Sequence, residues 1–418
     1  MPLAGVAVAT EARRVTEPIA KSRTGSLVVL LASIVVSSLA ASSAPTPLYA
    51  TYASEWHFSP ITTTVVFGAY AIAVLLALLI FGRVSDHTGR RPVLVTALAV
   101  QVAGMVVLAT AGGVAALLLG RVLQGLATGG AMSALGAAML DVDQRRGAVA
   151  NAAAPGMGTG AGSLLSGLLV QYVAGPTHLV YLVLLVIFVL QGVGVILMRE
   201  TTAPGPGLLA ALKPELAVPQ GARGAMLAAA PILFAVWALA GFYGSLGPAL
   251  ARQLSGSPSA VVGGLGFFLL AVAGSLTTIL LTRTPPRTVM LIGIAVLVLA
   301  VAGTLATVEE SSAAGYFVCT VVAGVGFGAG FQGGIRTVTP RAAPQQRAAV
   351  LSVLFVVCYC GMGIPSVIAG VLVVHGGGLV SAARDYAVFV ILLAVAALAG
   401  LVINSRTAKA SGKVTLAG

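Results

Sequence analysis

Arg121 and Gln124 stand three residues apart inside an otherwise apolar run at 114–138. At that spacing two helical side chains share a face. A guanidinium beside an amide can line a cavity and hold an anion or a carbonyl-bearing solute, or it can gate protonation of a neighbour. The pair can equally satisfy backbone carbonyls and serines of an adjacent helix, and the sequence leaves these roles open. A second charged group is the stretch GRVSDHTGRRP at 82–92. Asp86 is its one acid among Arg83, Arg90 and Arg91, and Gly82 and Gly89 are its turn residues. Such a group can form ion pairs, worth only about 0–1 kcal/mol when exposed. An Asp at a helix N-terminus also meets the positive end of the dipole.

Other chemistry is missing. All eleven acids lie outside the apolar runs or at their edges, so no carboxylate is placed to neutralise a cationic solute within them. A coupled proton would need an edge group: Asp86, Asp141, Glu55, Asp385, His57, His178 or His375. There is no phosphate-cradling loop ending in Lys-Ser/Thr and no His/Cys cluster at metal spacing. No catalytic residue, cofactor or metal site is expected. Cys319, Cys358 and Cys360 fall inside apolar runs as buried thiols.

The elements that carry these groups are long. The chain has 418 residues, 58% hydrophobic and 8% charged, with a mean hydropathy of +1.04. Soluble proteins carry about 25% charged residues, so the solvent for this surface is lipid. Twelve apolar runs are read as helical spans, at 27–48, 61–81, 93–111, 114–138, 148–172, 179–198, 226–250, 260–281, 288–307, 313–335, 348–373 and 386–403. The first is read as a retained span and not a leader. Continuous apolarity favours helices over a barrel. The fold class is thus an all-α membrane protein of twelve transmembrane helices.

Of the 23 Lys and Arg, all but Arg121, Arg252 and Arg384 fall in the tails and in alternate loops, on one side. The positive-inside rule places that side, and both termini, in the cytoplasm. The net charge of +12 is therefore a topology signal and not a nucleic-acid surface. The expected parts are a tail at 1–26, a six-helix half at 27–198, a proline-rich linker at 199–225, a second half at 226–403 and a tail at 404–418. The halves look duplicated: QRRGAV at 144–149 is echoed by QQRAAV at 345–350, and GMG at 156–158 by GMG at 361–363. This is a parallel repeat about an axis along the membrane normal.

These features together resemble the major facilitator superfamily of secondary transporters. Gly82, Asp86, Gly89, Arg90 and Arg91 match its pattern in the loop after span 2. Leu117, Arg121, Gln124 and Gly125 match its L-x-x-x-R-x-x-Q-G pattern on span 4. The resemblance implies alternating access in a plasma-membrane transporter, expected to be a monomer, with lipid around it and a small organic solute as partner. Export in exchange for protons is the leading version and import of a metabolite the alternative, because span 5 has Pro155 ahead of its glycines and lacks the Gly-Pro pair of drug antiporters. A membrane receptor or enzyme is a remote alternative. It also implies that Asp86 and Arg90 belong to a cytoplasmic latch between the halves, with Asp141 or Asp143 as the acid for Arg90. Spans 1, 4, 7 and 10 would line the cavity. The candidate contacts are Ser38, Ser42, Arg121, Gln124, Trp237, Tyr243, Phe331 and Gln332. Gly125 with Gly129, and Gly158 with Gly162, are read as helix-packing positions that permit rocking. Pro45 and Pro47 are expected to break the outer end of span 1.

Overall fold

The computed structural model describes the backbone at 4–173 and 175–414 and side chains at 24–173 and 175–403. The two tails expected at 1–26 and 404–418 lie mostly outside those side chains. Every regular element among the described residues is a helix. A chain in hydrocarbon must satisfy each backbone N–H and C=O internally, which helices do segment by segment.

Twelve long helices follow the order expected: Ala4–Ser43 (span 1), Pro60–Phe81 (span 2), Arg90–Ala109 (span 3), Val114–Val142 (span 4), Gln144–Tyr172 (span 5), Pro176–Leu197 (span 6), Gln220–Ser245 (span 7), Ala260–Leu280 (span 8), Pro286–Glu309 (span 9), Ala313–Val338 (span 10), Arg347–His375 (span 11) and Leu379–Val414 (span 12). Eleven are both long and apolar enough to cross a membrane. Span 5 is the other, and its composition has a structural reason. It is sandwiched between spans 1 and 8, and small residues let it approach both. A Cβ at Gly158 would strike the carbonyl of Val36, and one at Gly162 that of Ala40, both on span 1. On its other side Gly156 lies against Ser275 of span 8.

Three boundaries differ from the sequence reading. Span 1 does not end at Pro45. A short helix, Pro45–Trp56, starts immediately after Ala44 and carries the chain onward, because proline is well suited to a first helical turn. Span 7 starts at Gln220, within the expected linker. The linker itself is docked and holds a short helix, Leu208–Ala211, whose Ala211 is 2% exposed.

The two halves meet along spans 2 and 11 and along spans 5 and 8. Loops bearing most of the Arg and Lys mark one end of the molecule, here called the basic end. Hydrogen bonds cross between the halves toward the opposite end. Thr46 Oγ1 donates to Gly244 O at 3.0 Å, Ser163 Oγ to Gly264 O at 3.0 Å, and Ala260 N to Gln171 Oε1 at 3.2 Å.

Candidate substrate site and charged cluster

Pro45 has no N–H, so the carbonyl four residues earlier, Ala41 O, loses its helical partner. Span 4 supplies one. Gln124 Nε2 donates to Ala41 O at 2.7 Å, and Arg121 Nη1 donates to Ser42 O at 2.9 Å. Arg121 Nη1 also donates to Gln124 Oε1. One edge of the guanidinium is therefore committed to stitching the bend of span 1 to span 4. The other edge is not. Nε and Nη2 are buried and have no hydrogen-bond partner among the described residues. The side chain is 0% exposed, and the Tyr70 ring of span 2 lies over it, 4.3 Å from the guanidinium carbon to the ring centroid. The ring contributes about 0.5–2 kcal/mol of cation–π attraction. A charge at the bilayer centre costs roughly 2.5–3.5 kcal/mol on insertion scales.

An aromatic group continues from Tyr70 across the boundary between the halves. Tyr359 of span 11 lies within electrostatic reach of Tyr70. Its ring centroid is 4.8 Å from Trp237 of span 7, and Trp237 is 5.7 Å from Phe331 of span 10. Phe327 stacks on Phe331 at 6.2 Å. Trp237 packs against the apolar cores of both halves. Polar atoms here also lack partners: Trp237 Nε1, Gln332 Oε1 and Thr128 Oγ1. Gln332 Nε2 donates to Thr278 O of span 8 at 2.9 Å.

The expected cavity residues thus divide. Arg121, Trp237, Phe331 and Gln332 keep unused polar atoms or aromatic faces about the interface of the halves. Gln124 and the Ser42 carbonyl serve the stitch, while the Ser42 hydroxyl bonds back to Leu39 O. Ser38 is buried in span 1. Tyr243 is a correction: it lies inside the second half, with its hydroxyl 2.9 Å from Thr320 of span 10 and its ring stacked on Tyr316. Six residues from Trp237 it faces another side of span 7. The sequence reading passed over Tyr70 and Tyr359, the polar-tipped aromatics of spans 2 and 11; that polar handle on an otherwise apolar helix was the available signal. Gln191 of span 6 was also passed over. It joins Ser37 at 2.9 Å and Ser33 at 3.1 Å, which makes those serines packing contacts. Gly125 and Gly129 approach Ala73, Val74 and Ala77 of span 2. These glycines, like Gly158 and Gly162, pack helices within the first half, so they do not form the surface on which the halves would rock.

At the basic end Arg90 is 8% exposed and is the hub of the charged cluster. Its Nη1 donates to Ser85 Oγ at 2.7 Å and to Asp86, and its Nε lies 3.3 Å from Asp141 Oδ2. Of the two acids offered by the sequence, Asp141 is the partner; Asp143 instead caps span 5 through Arg146 N at 2.9 Å. The cluster is contained in the first half, and in this conformation its further bonds go to the linker.

Glu200, unremarked in the sequence reading, is the main link. Its carboxylate accepts from the backbone N–H groups of Arg90 at 2.8 Å and Arg91 at 3.0 Å, at the start of span 3, and from Thr201 at 2.9 Å and Thr202 at 3.3 Å. Burial pushes the carboxyl up, but these four N–H bonds outweigh it and hold the Glu200 pKa below the usual range. Gly89 has φ +94°, and a Cβ there would stand 2.5 Å from Glu200 Oε2, so both backbone and neighbour require glycine. Arg83 pairs with Glu215, His87 Nδ1 donates to Pro206 O at 2.6 Å, and Gly205 N donates to His87 O at 3.0 Å.

Comparison with known proteins agrees with this architecture. A sequence model of the Major Facilitator Superfamily matches residues 30–366. No curated protein matches the sequence. Among solved structures, the fold is similar to the nucleoside transporter NupG, with a TM-score of 0.71 and 12% identity over 90% of this chain and 99% of that one. It is also similar to a bacterial homolog of the human lysosomal transporter Spinster in an inward-facing and occupied conformation, with a TM-score of 0.69 and 16% identity over 92% of this chain and 97% of that one.

Proposed function

The chain belongs to the major facilitator superfamily, and from that premise we propose that it is a secondary transporter moving one small organic solute by alternating access. The observation that carries this reading is the buried Arg121 edge with its aromatic neighbours where the two halves face each other. A site between rigid halves is where solute can be exposed to either side in turn.

In this reading the basic end is cytoplasmic, the membrane is the plasma membrane and the carrier works as a monomer. The hydrogen bonds from Thr46, Ser163 and Ala260 close the outer end, which corresponds to an inward-facing state. The Arg90 cluster, with Asp86 and Asp141, belongs to conformational control, and Gly82, Gly89 and Arg91 shape and anchor its loop. Export in exchange for protons is the leading direction, the proton being carried by an edge group because the acids lie in loops or at span edges. Import is the second reading, favoured by Pro155 lying inside span 5 ahead of its glycines.

Counterflow in proteoliposomes tests the proposal. Preloaded solute should accelerate entry of labelled solute, and a protonophore should abolish accumulation if protons drive it. Specific, saturable binding of a solute that is never exchanged across the bilayer would make the protein a receptor and refute the transporter reading.

A further inference from the structure

We propose that the solute carries a carboxylate on an aromatic ring, the carboxylate seated on the free edge of Arg121 and the ring among Tyr70, Tyr359, Trp237 and Phe331. This rests on the transporter reading of the same site and names its substrate class.

The argument starts from which guanidinium atoms are used. Nη1 is taken by Ser42 O and Gln124 Oε1. Nε and Nη2, the two atoms that present parallel N–H groups side-on, are both without partners. That pair is the fork that receives the two oxygens of a carboxylate. The approach is in the guanidinium plane, whereas Tyr70 covers a face, so ion pair and cation–π contact coexist. Charge selects further. Arg121 has no Asp or Glu partner, since the ion pairs of the described residues lie elsewhere. A monocarboxylate cancels its single charge in a low-dielectric site. A neutral solute leaves it uncancelled, and a phosphate dianion leaves an excess of the other sign. Shape selects the ring. The aromatic side chains that follow Tyr70 offer faces and edges to a flat apolar body. The idle Trp237 Nε1 and Gln332 Oε1 leave capacity for a polar substituent on it.

The chain's two tryptophans give the assay. Trp56 stacks on Tyr52 with ring centroids 4.6 Å apart, away from this site, so the Trp56→Phe protein reports on Trp237 alone. Its fluorescence in lipid nanodiscs is titrated with benzoate, benzamide and acetate. Benzoate should give a saturable change. Benzamide, which keeps the ring and loses the charge, should bind at least tenfold more weakly, and acetate, which keeps the charge and loses the ring, should also bind at least tenfold more weakly. Arg121→Lys keeps the charge but removes the fork and should weaken benzoate at least tenfold while leaving benzamide unchanged. Should that variant fail to fold, because Nη1 also braces span 1, the benzoate-to-benzamide ratio on the intact site decides. Equal binding of benzoate and benzamide, no saturable response to benzoate, or benzoate binding unchanged in folded Arg121→Lys overturns the proposal. Exchange of a neutral solute by a protein that ignores benzoate would overturn this inference and leave the transporter reading standing. Benzoate that binds but is never exchanged would do the reverse.

Discussion

Replacing Glu200 by alanine should release the linker from the loop at 82–92, and the size of the effect can be worked from the contacts. One carboxylate accepts from four backbone N–H groups and stands at the N-terminus of span 3. Capping side chains contribute about 0.5–2 kcal/mol and the helix dipole about 0.3–1 kcal/mol. The group is solvent-exposed, so values at the lower end apply, and about 1–2 kcal/mol in all is expected. That is a factor of roughly 5–30 in the ratio of docked to undocked linker. Ala211, 2% exposed in the docked linker, is the reporter position. With Cys319, Cys358 and Cys360 changed to alanine, the Ala211→Cys thiol should react with a water-soluble maleimide only when the linker opens. Glu200→Ala should then raise the labelling rate roughly 5–30-fold, and Glu200→Gln, which keeps an acceptor oxygen without the charge, should fall between. The pH dependence has a fixed sign. The folded carboxyl is held below its unfolded value of about 4.3. Its contribution is therefore full above that value and is lost as pH falls through the folded value. Protection in the parent protein should disappear over that acid window, and in Glu200→Ala there should be no such step. Equal labelling rates in the parent and Glu200→Ala at neutral pH would refute the reasoning.

Three further outcomes follow from the same geometry. Gly89→Ala must place a Cβ at φ +94° against Glu200, which should cost about 1–3 kcal/mol and be read as faster labelling of Ala211→Cys with Glu200 intact. Asp86→Asn should slow transport while leaving membrane insertion intact, and unchanged vesicle transport would remove the cluster from conformational control. Gln171→Cys with Ala260→Cys, joined by a short thiol crosslinker across the hydrogen bond now seen between them, should stop exchange by holding the outer end shut; continued counterflow in the crosslinked carrier would count against closure at that end.

Much of the fold was legible because the bilayer imposes it. Hydropathy marks the helices, and the alternation of Arg-bearing loops fixes their order. Span 5 shows the limit of hydropathy alone, since its glycines and serines serve contact with spans 1 and 8 and not lipid. The partnership of Arg90 with Asp141 was half legible, because loop and helix end were known to be near each other but not which acid points inward. Glu200 was not legible at all. The prolines after it read as a flexible connector, and nothing in one dimension shows that four N–H groups converge on its carboxylate. At the candidate site Arg121 was conspicuous as a charge in an apolar run. Its division into a used and an unused edge was hidden, because that depends on the carbonyl left free by Pro45 on a different helix.

The bend of span 1 places two tasks one helical turn apart, about 5.4 Å along the axis. Ser42 O receives Arg121, and Thr46 Oγ1 reaches Gly244 in the other half. A carboxylate drawn to the guanidinium would change the charge that grips Ser42, and the next turn is the one fastened across the outer end. Communication between occupancy and closure would then require no relay through the bundle: a single turn of helix, already weakened by a missing amide proton, would be both the sensor and the bolt.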